Sequence, residues 1–179
     1  MRDWQDRGGE PLEEQDQIIP DCYRKEVLVL GCGNVLFGDD GFGPAVAQRL
    51  QAEGRLPASA EALDVGTGVR EILFTLLLSP AKPRRLIIVD SANIGAAPGS
   101  IASLRPDQLS AAKAVDFSLH QTPTAHLLKE LANGGGVDVV ILAVQPDRIP
   151  DAVSLGLSPA VSAAIPPACE MVAKLIQSR

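Results

Sequence analysis

Aromatic residues are scarce in this chain of 179 residues, which has four Phe, one Trp and one Tyr, so its core must be assembled from Val, Ile, Leu and Ala. With 46% of residues hydrophobic the supply is ample. A core of that kind suits an α/β protein with a parallel sheet buried on both faces. Cysteine is also scarce. Cys22, Cys32 and Cys169 are odd in number and lack C-x-x-C spacing, which argues against a disulfide framework or a structural zinc knuckle and fits a reducing cytosol. Positive charge is in deficit, with 16 Lys and Arg against 22 Asp and Glu and a formal net charge of -6. Nucleic acid is therefore an unsuitable partner, because a phosphate backbone is held by clustered Lys and Arg. The apolar run around Ile72 to Leu78 falls far short of the ~20 residues a membrane span needs. The polar stretch before Lys25 has no apolar segment of signal-peptide type. It reads as an arm, residues 1–25, ahead of one domain over 26–179. The expected location is the cytoplasm, with no membrane contact. There is no internal repeat, no G-x-S-x-G elbow and no H-E-x-x-H helix, which removes the common signatures of serine hydrolases and zincins.

What is present is an alternation of strands and helices. Glu26 to Gly31 is a short aliphatic run ending in glycines, as buried parallel strands do. From Asp40 onward, Phe42, Val46 and Leu50 recur at helical spacing and Gly54 can close the helix. Ala60 to Val65 predicts a strand and Val69 to Leu78 a helix, with Pro80 and Pro83 forbidding its extension. Arg84 to Asp90 is the most strand-like segment, closed by a carboxylate and a loop of small residues. Ser100 to Leu104 follows Pro98-Gly99 so closely that a hairpin return is the natural reading, making it the one antiparallel strand. Thr122 to Asn133 predicts a helix with Ala125, Leu128 and Ala132 on one face, and Val137 to Val144 the last strand. Ser158 to Gln177 is helical in period, but Pro166-Pro167 must kink or split it. The sheet is therefore mixed and mostly parallel.

Chemistry concentrates at strand ends. The segment from Gly31 to Gly43 begins like the glycine turn of a dinucleotide fold, yet it carries Asp39 and Asp40 where a pyrophosphate would sit. Two carboxylates there suit a cation or proton transfer, or else cap the following helix. Asp90 lies at the carboxyl end of its strand, where open α/β sheets place ligands. If the two strands are neighbours, Asp40 and Asp90 project into one crevice, a costly arrangement unless a proton or metal lies between them. Of two histidines, His120 falls in a polar connection before a helix and His126 on the helix itself. The first is the candidate ligand and the second a surface residue. Two aspartates and a histidine form an open O/N donor set suited to nickel or zinc. Cys32 beside His120 would offer a thiol nucleophile instead, but no third orienting group is evident.

Five blocks taken together, GCGNVLFGDDGFGPAVAQRL, LDVGTG, LIIVDSANIGAAPGSI, SLHQTP and LGLSPAV, resemble the nickel-iron hydrogenase maturation proteases from Glu26 onward. The branch serving deazaflavin (coenzyme F420)-reducing hydrogenases is the nearest in pattern. The resemblance implies a three-layer α/β/α sandwich with a mixed sheet of about five strands, one antiparallel. It implies an aspartic-type endopeptidase that removes the C-terminal extension of a hydrogenase large-subunit precursor after nickel insertion. Nickel would be substrate-borne and transient, with no organic cofactor. The family's metal-recognition positions fall on Asp40, Asp90 and His120, the two aspartates being also the catalytic candidates. Its D-x-G-T turn falls on Asp64, Gly66 and Thr67 and, with Gln121, is expected to face the substrate. A monomer is the expected state. Two other readings stay open on the residues alone: a permanently metallated hydrolase of small substrates, and a non-catalytic nucleotide-binding module.

Overall fold

A computed structural model describes residues 20–54, 56–109 and 122–178. Most of the proposed arm, residues 1–19, lies outside the described residues. Asp21–Arg24 forms a 3-10 turn, and Tyr23 packs partly buried against the core.

Among the described residues, five strands and five α-helices follow. They are β1 (Val27–Cys32), α1 (Phe42–Glu53), β2 (Ala60–Gly66), α2 (Val69–Leu78), β3 (Arg85–Ser91), β4 (Ile101–Leu104), α3 (Thr122–Asn133), β5 (Asp138–Val144), α4 (Pro159–Ala163) and α5 (Ile165–Gln177). The strands form one sheet in the order β2-β1-β3-β5-β4, parallel except for β4. Alternation along the strands divides the core into two layers. Leu28, Leu30, Leu86, Ile88 and Ile141 face α2 and α3. Val27, Val29, Ile87, Val89 and Leu142 face α1, α4 and α5. The architecture is the expected three-layer α/β/α sandwich.

One local expectation changes. The strand over 101–104 is antiparallel, but its partner is β5, with Ile101 opposite Val144 and Leu104 opposite Ile141. β5 has taken the edge of β3 that a hairpin would have used, pairing Arg85 with Asp138 through Ser91 with Val144. In α3 the expected face holds: Leu128 is fully buried, Ala125 and Ala132 pack partly buried against the same core, and Leu127 and Leu131 join them there. The helix turns its bulkier residues to the sheet, since burial free energy grows with apolar area.

The proline pair acts as expected, and its position explains how. Helix α4 ends at Ala163, Ala164 bridges the two helices, and Pro166 and Pro167 sit in the first turn of α5, where helical N–H groups have no partner to lose. Pro159–Gln177 as a whole is long and apolar enough to cross a membrane by length and composition. Its apolar stripe of Val161, Ala164, Ala168, Val172 and Ile176 is spent on the core against α1 and the sheet. At the far end of the sheet the buried Arg85 guanidinium donates to Leu175 O, to Ser178 O at 2.9 Å and to Asp138 Oδ2 at 2.6 Å. It thereby caps α5 and ties it to β3 and β5.

Candidate active site

The carboxyl ends of β2, β1 and β3 lie side by side, as the order of the sheet requires. The chain can leave β1 only because two glycines permit close approach. A Cβ on Gly43 would sit 2.2 Å from Cys32 O and 2.3 Å from Val89 O, so the first turn of α1 rests directly on β1 and β3. Gly33 has φ 125°, and a Cβ there would sit 1.9 Å from Asp40 O, so the loop closes back on itself.

That closure buries Asp40, which is 3% exposed, and its Oδ2 accepts from Asn34 N–H at 2.8 Å. Asp90 is fully buried near the end of β3, with Oδ1 accepting from Ser91 N–H at 2.8 Å. The Ser91 hydroxyl beside it is buried without a hydrogen-bond partner among the described residues. β1 and β3 are adjacent, so the condition set by the sequence for a shared crevice is met. Cys32 ends β1 and is buried. Burial first, then the negative charges of Asp90, Asp40 and Asp64, push its thiol well above the ordinary range. The thiol is thus held neutral, which speaks against a thiolate nucleophile.

The tandem aspartates divide their work. Neither caps α1, whose N-cap is Gly41 without a side-chain bond. Asp39, 1% exposed, accepts from Ser158 N–H at 2.6 Å through Oδ1, and from Asp147 N–H at 2.9 Å and Arg148 N–H at 3.2 Å through Oδ2. It is an anchor for the segment after β5. Asp40, one residue on, lies in the turn that leads into α1 and makes none of these three contacts.

The D-x-G-T turn joins the same end of the sheet. Gly33 N–H donates to Gly66 O at 3.0 Å. Asp64 is exposed, accepting from Gln48 Nε2 at 2.9 Å and Gly66 N–H at 3.1 Å. Thr67 is exposed as well. His120 and Gln121 lie outside the described residues. Among the described residues, no group of three or more His, Cys, Asp or Glu side chains is arranged to hold a metal ion. His126 stands on the surface of α3, 3.7 Å from Glu130, as expected.

One organising residue was missed from the sequence. Gln145, just past β5, accepts from Ile94 N–H at 2.8 Å and Ala96 N–H at 3.3 Å through Oε1, while its backbone pairs with Gly99 and Ser100. It shapes the loop that follows Asp90. The available signal was a polar residue at the carboxyl end of a strand, the position already used to single out Asp90.

Comparison with solved structures first defines a class. The E. coli hydrogenase maturating endopeptidase HybD superposes with TM-score 0.68 at 33% identity, covering 84% of this chain and 91% of that one. The chain belongs to the hydrogenase maturation protease family: the family described as "HycI: Hydrogenase maturation protease" matches residues 44–175. A putative hydrogenase maturation protease of Methanocaldococcus jannaschii is 36% identical over 151 residues, 83% of this chain and 95% of that protein. The coenzyme F420 hydrogenase subunit delta of Methanothermobacter thermautotrophicus is 36% identical over 155 residues, 84% and 94% of the two chains. The chain is thus a peptidase by family, one consistent with C-terminal processing of hydrogenase large subunits.

Proposed function

We propose that this protein is a cytoplasmic, aspartic-type endopeptidase that removes the C-terminal extension of a nickel-iron hydrogenase large-subunit precursor once nickel has been inserted. The observation that carries this reading is the pair Asp40 and Asp90, two buried carboxylates, the first in the 3-10 turn between β1 and α1 and the second on the adjacent parallel strand β3, whose charges both raise the pKa of the buried Cys32 thiol. Carboxylates are hard oxygen donors, and with an imidazole from His120 they suit a borderline divalent metal. The nickel belongs to the substrate. Docking it on Asp40, Asp90 and His120 places the scissile bond beside the aspartates, and hydrolysis starts from a water activated by a carboxylate or by the docked metal. The turn of Asp64, Gly66 and Thr67, with Gln121, receives the segment to be removed. Similarity to the coenzyme F420 hydrogenase subunit delta supports a precursor of that hydrogenase class.

The test is cleavage of the purified precursor with and without nickel. Wild-type protein cuts only the loaded form. Asp40→Asn, Asp90→Asn and His120→Ala each lower the rate by about a hundredfold or more, the usual scale for losing an acid-base or metal-positioning group. Full processing by all three variants would remove the site assignment, and equal cutting of unloaded precursor would remove nickel recognition.

A further inference from the structure

Five large apolar side chains stand in solvent beside the site loop. Val35 and Leu36 precede Asp40, while Ile149, Val153 and Leu155 follow β5; Val153 is 66% and Leu155 74% exposed. The two segments are far apart in sequence but joined in space. Gly38 N–H donates to Ser154 O at 2.8 Å, Ser154 N–H donates to Leu36 O at 2.8 Å, and Phe37 forms a parallel bridge with Ser154. Asp39 then fixes the second segment near both ends through the N–H groups of Asp147, Arg148 and Ser158. The apolar residues are therefore held on a pinned backbone. Leu155 also lines a cleft of about 430 Å³ that runs from Gly38 and Asp39 to Pro159.

Exposed apolar clusters on a rigid frame mark surfaces that a partner covers. We infer that the 34–38 and 147–157 segments are the docking surface for an apolar stretch of the hydrogenase large-subunit precursor adjoining its cleavage site. This rests on the function proposed above. Continuity singles out that occupant. Val35 and Leu36 share a loop with Asp40, so a polypeptide whose scissile bond reaches Asp40 comes beside them and beside the segment bridged to them. Among the described residues, the other exposed large apolar side chains, Phe74 and Leu78, lie on α2. Recognition is then shared between metal docking at the aspartates and apolar contact beside them, the second supplying affinity for the body of the substrate.

The test compares wild-type protein with the double variant Val153→Asp/Leu155→Asp on the nickel-loaded precursor, with Leu78→Asp as a control. Covering two such side chains at roughly 25 cal/mol per Å² predicts about a hundredfold loss of kcat/KM for the double variant. That loss falls on KM, with kcat at saturation within about twofold, because the contacts are equal in ground and transition states. Leu78→Asp leaves both constants unchanged. Should the double variant melt early, Val153→Ser/Leu155→Ser is substituted, with the same KM-directed loss expected. An unchanged kcat/KM overturns the inference, as does a loss confined to kcat. So does a wild-type dimer that the variant splits while processing persists, since the surface would then join copies of this chain. If wild-type protein cuts and the variant cuts equally well, docking alone fails. If wild-type protein leaves the loaded precursor whole, the functional reading fails with it.

Discussion

Asp39 and Asp40 are neighbours in sequence with opposite duties, and substitution should separate them. Asp39→Ala strands three backbone N–H groups, each of which loses a charge-assisted acceptor. A loss of about 3 kcal/mol in stability is expected, since a hydrogen bond to a charged group is worth roughly 1.5–3 kcal/mol and water replaces part of it. Urea unfolding reads this directly. Asp40→Asn keeps an oxygen for Asn34 N–H, so it should melt near the wild-type temperature while losing processing. If Asp39→Ala is stable, or Asp40→Asn unfolds, the division of roles is wrong. The sequence could mark the pair as unusual but not sort it. The groups that distinguish Asp39 lie 108 to 119 residues further on, beyond the reach of local spacing. Gln145 carried a local signal in its place just past the carboxyl end of β5, but its partners, 51 and 49 residues earlier, did not.

Elements were legible where punctuation was local. Helix α2 has the bounds its flanking glycine and prolines suggest, and α1 ends at Gly54, whose φ of 61° suits a left-handed cap. The proline pair invites a test, because a proline in a helix is commonly assumed to be a defect. Here Pro166 and Pro167 open α5 and restrict the unfolded chain. Pro166→Ala and Pro167→Ala should each reduce stability by about 0.5–1 kcal/mol in denaturant titrations. A gain from either would mean the prolines strain the junction.

A second element-scale prediction concerns the anchor of α5. Partial burial raises the Asp138 pKa, but hydrogen bonds and charge from Arg105 and Arg85 outweigh it and hold the carboxyl below its usual 3.8. A folded-state value below the unfolded one contributes stability that is fully present above pH 3.8 and is lost as pH falls through the lower folded value. Unfolding midpoints measured from neutral pH downward should therefore fall in strong acid, and Asp138→Asn should flatten that part of the curve. An identical acid slope in both proteins would show that the Asp138 cluster is not responsible.

For the whole molecule, the α/β alternation and the mixed, mostly parallel sheet were readable, since two periodicities and the direction of parallel strands suffice to specify them. The pairing of β4 was not. Its turn favours a hairpin, but the choice belongs to β5, which enters from 34 positions beyond Leu104 and competes for the edge of β3. Pairing in a sheet is settled by all strands at once, and a turn reports on only two.

The lateness of β5 has a consequence for synthesis. A ribosome releases the chain from its N-terminus, so β1, α1, β2, α2 and β3 emerge while the central edge of the sheet is still open. The loop after Asp90 cannot be fixed until Gln145 appears, and Asp39 receives its three donors only when Asp147, Arg148 and Ser158 follow. A nascent chain interrupted before residue 138 would carry both aspartates without the frame that orders them. Stalled fragments should therefore have no proteolytic competence, and the enzyme cannot attack its neighbours before its own translation is nearly complete.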